Sequence, residues 1–189
     1  MCKKIAITNR HLVHGDFLTQ IEKVLQTNPA ALILREKDLP KESYEKLAEK
    51  VLPFCRKYDV PCLFNNRTEL AERLRPDGQQ LSFAAFCDME EVQRKKIGAA
   101  GLLGVSVHSL EEAKEAEVLG AAFVIFGHVF ETDCKPGLPP RGLTALKEIC
   151  AGVSIPVYAI GGVNEENSPL CVEAGAAGVC MMSGFMEME

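Results

Sequence analysis

Short apolar runs alternate with helical patterns from one end of the chain to the other. The runs cover residues 4–8, 31–35, 61–65, 79–83, 102–107, 123–126, 155–160 and 178–182. They are nearly continuous in apolar character, which suits strands buried on both faces of a parallel sheet. Between them, Phe17, Leu18, Ile21, Val24 and Leu25 recur at helix spacing. So do Tyr44, Leu47, Ala48, Val51, Leu52 and Cys55, with Pro53 placed to disturb the last turn. Ser109 followed by Glu112 reads as a capping box, and Gly120 closes that helix. Asn164 is a plausible N-cap for a helix ending at Gly175.

One grammar occurs three times. Gly98-Ala99-Ala100, Gly120-Ala121-Ala122 and Gly175-Ala176-Ala177 each stand between a helical pattern and a strand, with glycine expected as the left-handed helix cap. Strand-then-helix units of this kind imply right-handed crossovers. Eight of them predict a compact (β/α)8 TIM barrel spanning 1–189 as a single domain, with an open doubly wound sheet as the runner-up. The chain is lean for a barrel. Residues 68–75 leave room for only a short third helix, and the end at Glu189 predicts an eighth helix that is missing or vestigial. That gap would expose the outer edge of strands eight and one. A partner chain or a short tail must then cover it, which predicts a homo-oligomer.

Composition narrows the function classes. The 189 residues are 47% hydrophobic and 25% charged, with a formal net charge of −5 from 21 basic and 26 acidic side chains. This balance, with no basic stripe, argues against nucleic acid and anionic membranes as partners. No apolar run reaches the length of a membrane span, and no signal-peptide core follows Met1, so a cytoplasmic location is expected. Eight cysteines lack C-x-x-C or zinc-finger spacing. Buried thiols are the expected role, and no metal site is predicted.

In such a barrel the chemistry sits at the C-terminal ends of the strands. Gly161-Gly162 after strand seven and Met182-Ser183-Gly184 after strand eight are placed to bring backbone N–H groups to a phosphate, or merely to turn the chain. Arg35 and Lys37 share a facing after strand two. They meet an anion there, or pair with Glu36 or Asp38. Asn65 and Ser106 end strands three and five. Lys135, in a Pro- and Gly-rich loop, clamps an anion or is solvated. His128 ends strand six and is expected to point into the mouth, where imidazole suits proton transfer. A satisfied structural histidine is the alternative. His108 is the weaker second candidate.

Several stretches resemble the thiamin phosphate synthases and their TenI-like relatives. They are Leu34-Arg35-Glu36-Lys37, Asn65-Asn66-Arg67, residues 104–113, Phe126-Gly127-His128-Val129-Phe130 with the loop to Lys135, and Ala159-Ile160-Gly161-Gly162-Val163. The resemblance covers nearly the whole chain. In the synthase branch it implies coupling of a pyrimidine diphosphate to a thiazole phosphate with Mg²⁺ held by two acids. Here Asn66 and Ala85 stand where those acids belong. The TenI branch is therefore the leading expectation. It implies an isomerase, a thiazole tautomerase, that aromatises a carboxythiazole phosphate by a proton shift on His128 and needs no cofactor. The alternatives are synthase-type coupling and a non-catalytic protein that binds the phosphorylated thiazole.

Overall fold

The computed structural model describes residues 2–132 and 137–188. Eight parallel strands close into a barrel in sequence order. They are β1 (Lys3–Ile7), β2 (Ala31–Leu34), β3 (Cys62–Asn65), β4 (Gly78–Ser82), β5 (Leu102–Val107), β6 (Phe123–Gly127), β7 (Val157–Ile160) and β8 (Gly178–Met181). β8 pairs back onto β1, with Cys180 beside Ile5, so no sheet edge is left open. The TIM-barrel expectation holds, and each predicted run falls within two residues of an observed strand.

Alternation along the strands divides the core into two layers. Ile5, Ile7, Ala31, Ile33, Leu63, Phe123, Ile125 and Cys180 fill the barrel. The residues between them, such as Ala6, Leu32, Leu34 and Phe64, face the surrounding helices. The Phe123 ring fits only because β5 carries Gly104 opposite it. A Cβ there would lie 2.2 Å from the ring. Phe123 stacks edge-on against Tyr158, their centroids 5.6 Å apart.

The helices are α1 (Phe17–Gln26), α2 (Lys41–Lys57), α3 (Ala71–Leu74), α4 (Phe83–Cys87), α5 (Glu91–Ala100), α6 (Leu110–Val118), α7 (Gly142–Gly152), α8 (Ser168–Glu173) and α9 (Ser183–Met186). Two capping expectations hold and two change. Ser109 accepts the Glu112 N–H at 3.1 Å, and Gly120 leaves α6 with φ 95°. α2 continues through Pro53 to Lys57, because Tyr44, Ala48, Val51, Leu52 and Cys55 hold it against the barrel. At the first copy of the glycine-alanine grammar, Gly98 stays inside α5, and Gly101 makes the exit in an extended conformation. Asn164 caps a turn, accepting from the N–H groups of Glu166 and Asn167, and α8 starts only afterwards.

The third helix is short, as expected: a 3-10 turn at Thr68–Leu70 runs into α3. The helix after β8 is also short among the described residues. α9 has four residues, and its Phe185 and Met186 are buried. Gln20 of α1 donates to the carbonyls of Phe185 (2.8 Å) and Met188 (3.1 Å). This tail packs where a full helix would, so the open-edge argument for a homo-oligomer falls away. No helix among the described residues is long and apolar enough to cross a membrane.

Candidate functional site

The mouth of the barrel is built from the last inward residue of each strand and the loop that follows it. Ser106 and Asn65 are joined there through Gln80, a residue the sequence pattern did not single out. Gln80 Nε2 donates to Ser106 Oγ at 2.7 Å, and Asn65 Nδ2 donates to Gln80 Oε1 at 2.6 Å. The signal was available, since Gln80 is a polar residue on the inward alternation of an otherwise buried strand. The row of amides and hydroxyl is internally satisfied, so its orientation is fixed before any ligand arrives.

On the β2 side, Glu36 is 2% exposed. It accepts from Thr8 Oγ1 at 2.7 Å and from the backbone N–H and guanidinium of Arg10. Arg10 also clamps Asp38 with both terminal nitrogens. The guanidinium, with His11 Nε2 at 3.1 Å, holds the Asp38 carboxyl below the usual range. The ion pairs allowed for Arg35 and Lys37 with these two acids are thus taken by Arg10. Arg35 is half-buried, and its guanidinium has no partner among the described residues. Lys37 is exposed.

Across the mouth, Gly161 and Gly162 have φ 95° and 65°. Their shape is dictated by the segment after β6, which extends the pairing. Val129 N–H donates to the Ile160 carbonyl and Phe130 N–H to the Gly161 carbonyl, both at 2.9 Å. A Cβ on Gly161 would lie 2.3 Å from His128 Cβ, and one on Gly162 2.1 Å from the Glu131 carbonyl. The N–H groups of Gly162, Val163, Ser183 and Gly184 meet no acceptor among the described residues. The two loops follow neighbouring strands, where Ile160 stands beside Cys180. Met182 precedes α9, and its sulfur lies 3.7 Å from Asn9 Nδ2.

His128 is 5% exposed and meets the segment that follows it. Its Nε2–H donates to the Leu138 carbonyl at 3.2 Å, while Nδ1 is buried with no partner among the described residues. Arg141 N–H returns to the His128 carbonyl. His108 Nδ1–H and Arg141 Nε–H both donate to the Gly127 carbonyl. Lys135 lies outside the described residues.

The Mg²⁺ ion of the synthase resemblance can be tested against this donor set. It does not fit. Asn66 offers an amide, and its Oδ1 already accepts the Ser82 N–H at 3.1 Å. Ala85, in the first turn of α4, has no ligand atom on its side chain. Among the described residues no three His, Cys, Asp or Glu side chains gather. Hard divalent cations of this kind need carboxylate oxygens. Among the described residues the cysteines are plain thiols: Cys55, Cys62, Cys171 and Cys180 are buried, and burial pushes Cys171 up to about 11.

With this geometry in hand, similarity to known proteins becomes informative. The profile of the family described as Thiamine monophosphate synthase (TMP-TENI) matches residues 5–185. Thiamine-phosphate synthase of Clostridium novyi (strain NT) is 34% identical over 98% of this chain and 91% of its own length. That of Desulfitobacterium hafniense (strain DSM 10664 / DCB-2) is 37% identical over 97% and 88%. The solved thiamine phosphate pyrophosphorylase from Pyrococcus furiosus superposes with a TM-score of 0.85 at 33% identity, covering 100% of this chain and 89% of its own. These names correct the expected isomerase. The two sequence relatives are called synthases and the solved one a pyrophosphorylase, both names of transferases, and none of the three is called a tautomerase. The chain belongs to the thiamine monophosphate synthase (TMP-TENI) family.

Proposed function

We propose that the chain is a transferase of the thiamine-phosphate synthase type, holding a phosphorylated thiazole and joining it to a pyrimidine diphosphate. The observation that carries this reading is the set of N–H groups at Gly162, Val163, Ser183 and Gly184, on loops after adjacent strands, that meet no acceptor among the described residues. Such N–H groups donate to phosphate oxygens without requiring a charged side chain. In this reading, Asn65 and Ser106 line the ring pocket, already oriented by Gln80, and Met182 lies against the ring's apolar edge. Arg35, with Lys37, faces the diphosphate of the second substrate. A bond from the thiazole nitrogen to the pyrimidine methylene forms as the carbon–oxygen bond breaks, and pyrophosphate leaves toward these cations. His128 keeps the post-β6 segment packed beneath Gly161.

One observation favours a second reading, in which the chain binds the thiazole phosphate without coupling it. Asn66 and Ala85 supply no acid where the resemblance calls for two. A single experiment separates the two. The protein is titrated with thiazole phosphate by calorimetry, then given both substrates with Mg²⁺ and assayed for thiamin phosphate. Product establishes the transferase. Binding without product establishes the second reading, and absence of binding sinks both. Ser183→Asp, which puts a negative charge into the phosphate loop, is expected to weaken thiazole phosphate binding about tenfold or more.

A further inference from the structure

On the β2–β4 side of the mouth a positive charge stands unbalanced. Arg35 follows β2, whose Leu34 is in register with Phe64, so it stands beside Asn65 at the end of β3. It is half-buried, and its guanidinium has no partner among the described residues. The nearest acids in sequence cannot balance it. Glu36 accepts from Thr8 and Arg10, and Asp38 is clamped by Arg10. A guanidinium drawn partly out of water without a counter-ion calls for an anion, and it repels a second cation.

Asn66, one step further along the rim, adds a donor. Its backbone turns through φ 50°, and its N–H donates to the Gln80 carbonyl at 3.0 Å. Oδ1 accepts the Ser82 N–H at 3.1 Å, which fixes the way the amide is turned. Nδ2 is left as a donor on an exposed side chain, with no partner among the described residues. Ser82 in turn caps α4 by accepting the Ala85 N–H. Asn66 and Ala85, where the resemblance calls for metal-binding acids, are thus tied to one residue. They offer a donor and a methyl group. A donor cannot ligate Mg²⁺, which is held through oxygens. It can meet a phosphate oxygen, and a guanidinium binds phosphate with two parallel N–H bonds.

We infer that, within the transferase reading on which this rests, the chain holds the diphosphate directly through Arg35 and Asn66 Nδ2, with no divalent cation bridging it to the protein. Arg35 supplies the charge and Asn66 Nδ2 a fixed donor beside it. A metal that arrives on the diphosphate competes with Arg35 for the same oxygens and finds no carboxylate to join it to the rim.

The probe is inorganic pyrophosphate, titrated into the full chain by calorimetry, once with EDTA and once with millimolar Mg²⁺. Saturable binding is expected in EDTA, and equal or weaker binding in Mg²⁺, which occupies the probe's oxygens. Arg35→Gln should weaken binding in EDTA about tenfold or more, with the thermal midpoint unchanged. Asn66→Asp combined with Ala85→Asp supplies the acids and should reverse the sign, so that Mg²⁺ strengthens binding. Both positions suit an aspartate, Asn66 in the left-handed region and Ala85 in the first turn of a helix. The double variant should also take up Mn²⁺ alone, seen as loss of the free-ion signal in electron paramagnetic resonance, where the wild type does not. Pyrophosphate binding by the wild type only with Mg²⁺, or Mn²⁺ uptake by the wild type that Asn66→Ala abolishes, would overturn the inference and leave the transferase reading standing. Absence of pyrophosphate binding in both buffers would overturn it as well, and the thiamin phosphate assay then decides the transferase reading separately.

Discussion

Gly161 and Gly184 look alike in the sequence, each a small residue just past the end of a strand, but the structure needs them to different degrees. Gly161 has a positive φ and His128 Cβ 2.3 Å from where its own Cβ would be. Gly184 meets only the end of the Met181 side chain, at 2.7 Å. Gly161→Ala is therefore expected to cost about 2–4 kcal/mol in urea unfolding, and Gly184→Ala to stay within about 1 kcal/mol. Equal effects would mean that the packing of the post-β6 segment is not what fixes Gly161. A second residue-scale prediction concerns Asp38. Arg10 and His11 hold its carboxyl below the usual range in the folded chain. A depressed carboxylate adds stability above its unfolded value of about 4, and loses it as pH falls toward the folded value. The stability gap between wild type and Asp38→Asn should thus be present at neutral pH and close in strong acid, which urea midpoints at the two pH values would show. Glu36 and Asp38 were legible as candidate ion-pairing acids beside Arg35 and Lys37. Arg10 was not, because it sits on a 3-10 turn, Arg10–Leu12, that has no apolar period to mark which acids it reaches.

At the scale of elements, what the sequence reveals depends on how deeply each element is buried. The strands were legible because both of their faces are covered, so their apolar runs are unbroken. α6 was legible because Ser109 and Gly120 punctuate it. The glycine-alanine grammar failed at Gly98 because the letters alone do not set φ. Gly120 and Gly175 are left-handed, whereas Gly98 continues a helix whose exit is set by Gly101 against the Asp77 carbonyl. α5 is also held more weakly than α1. It buries no residue, while α1, of the same length, buries Gln20, Ile21, Val24 and Leu25. Local opening follows buried apolar contact. Amides of α5 are expected to exchange with deuterium about tenfold or more faster than those of α1, as read by mass spectrometry of peptides from each helix. Matching protection would show that α5 is held by more than its contacts with β4 and β5.

Over the whole molecule, closure could be anticipated from eight strands, but how the lean chain covers its last seam could not. The last turn, α9, is too short for any periodicity to announce it. Its weight comes from tertiary contact: Phe185 and Met186 are buried, and Gln20 spends its amide on the carbonyls of Phe185 and Met188. The same turn carries the Ser183 and Gly184 N–H groups proposed to meet the phosphate, so cover and site share one anchor. Phe185→Ala leaves the backbone acceptors in place and removes only the ring. A buried aromatic replaced by alanine costs about 3–5 kcal/mol, a large part of the roughly 5–15 kcal/mol that holds a domain folded. The variant is expected to unfold at correspondingly lower urea. At concentrations where it remains folded, it should also bind thiazole phosphate more weakly, since the turn that presents the N–H groups has lost its anchor. If the ring only plugs the seam, stability will fall and affinity for the folded fraction will not. A loss of both, in calorimetry on protein shown folded by circular dichroism, would tie the phosphate loop to the tail that closes the barrel.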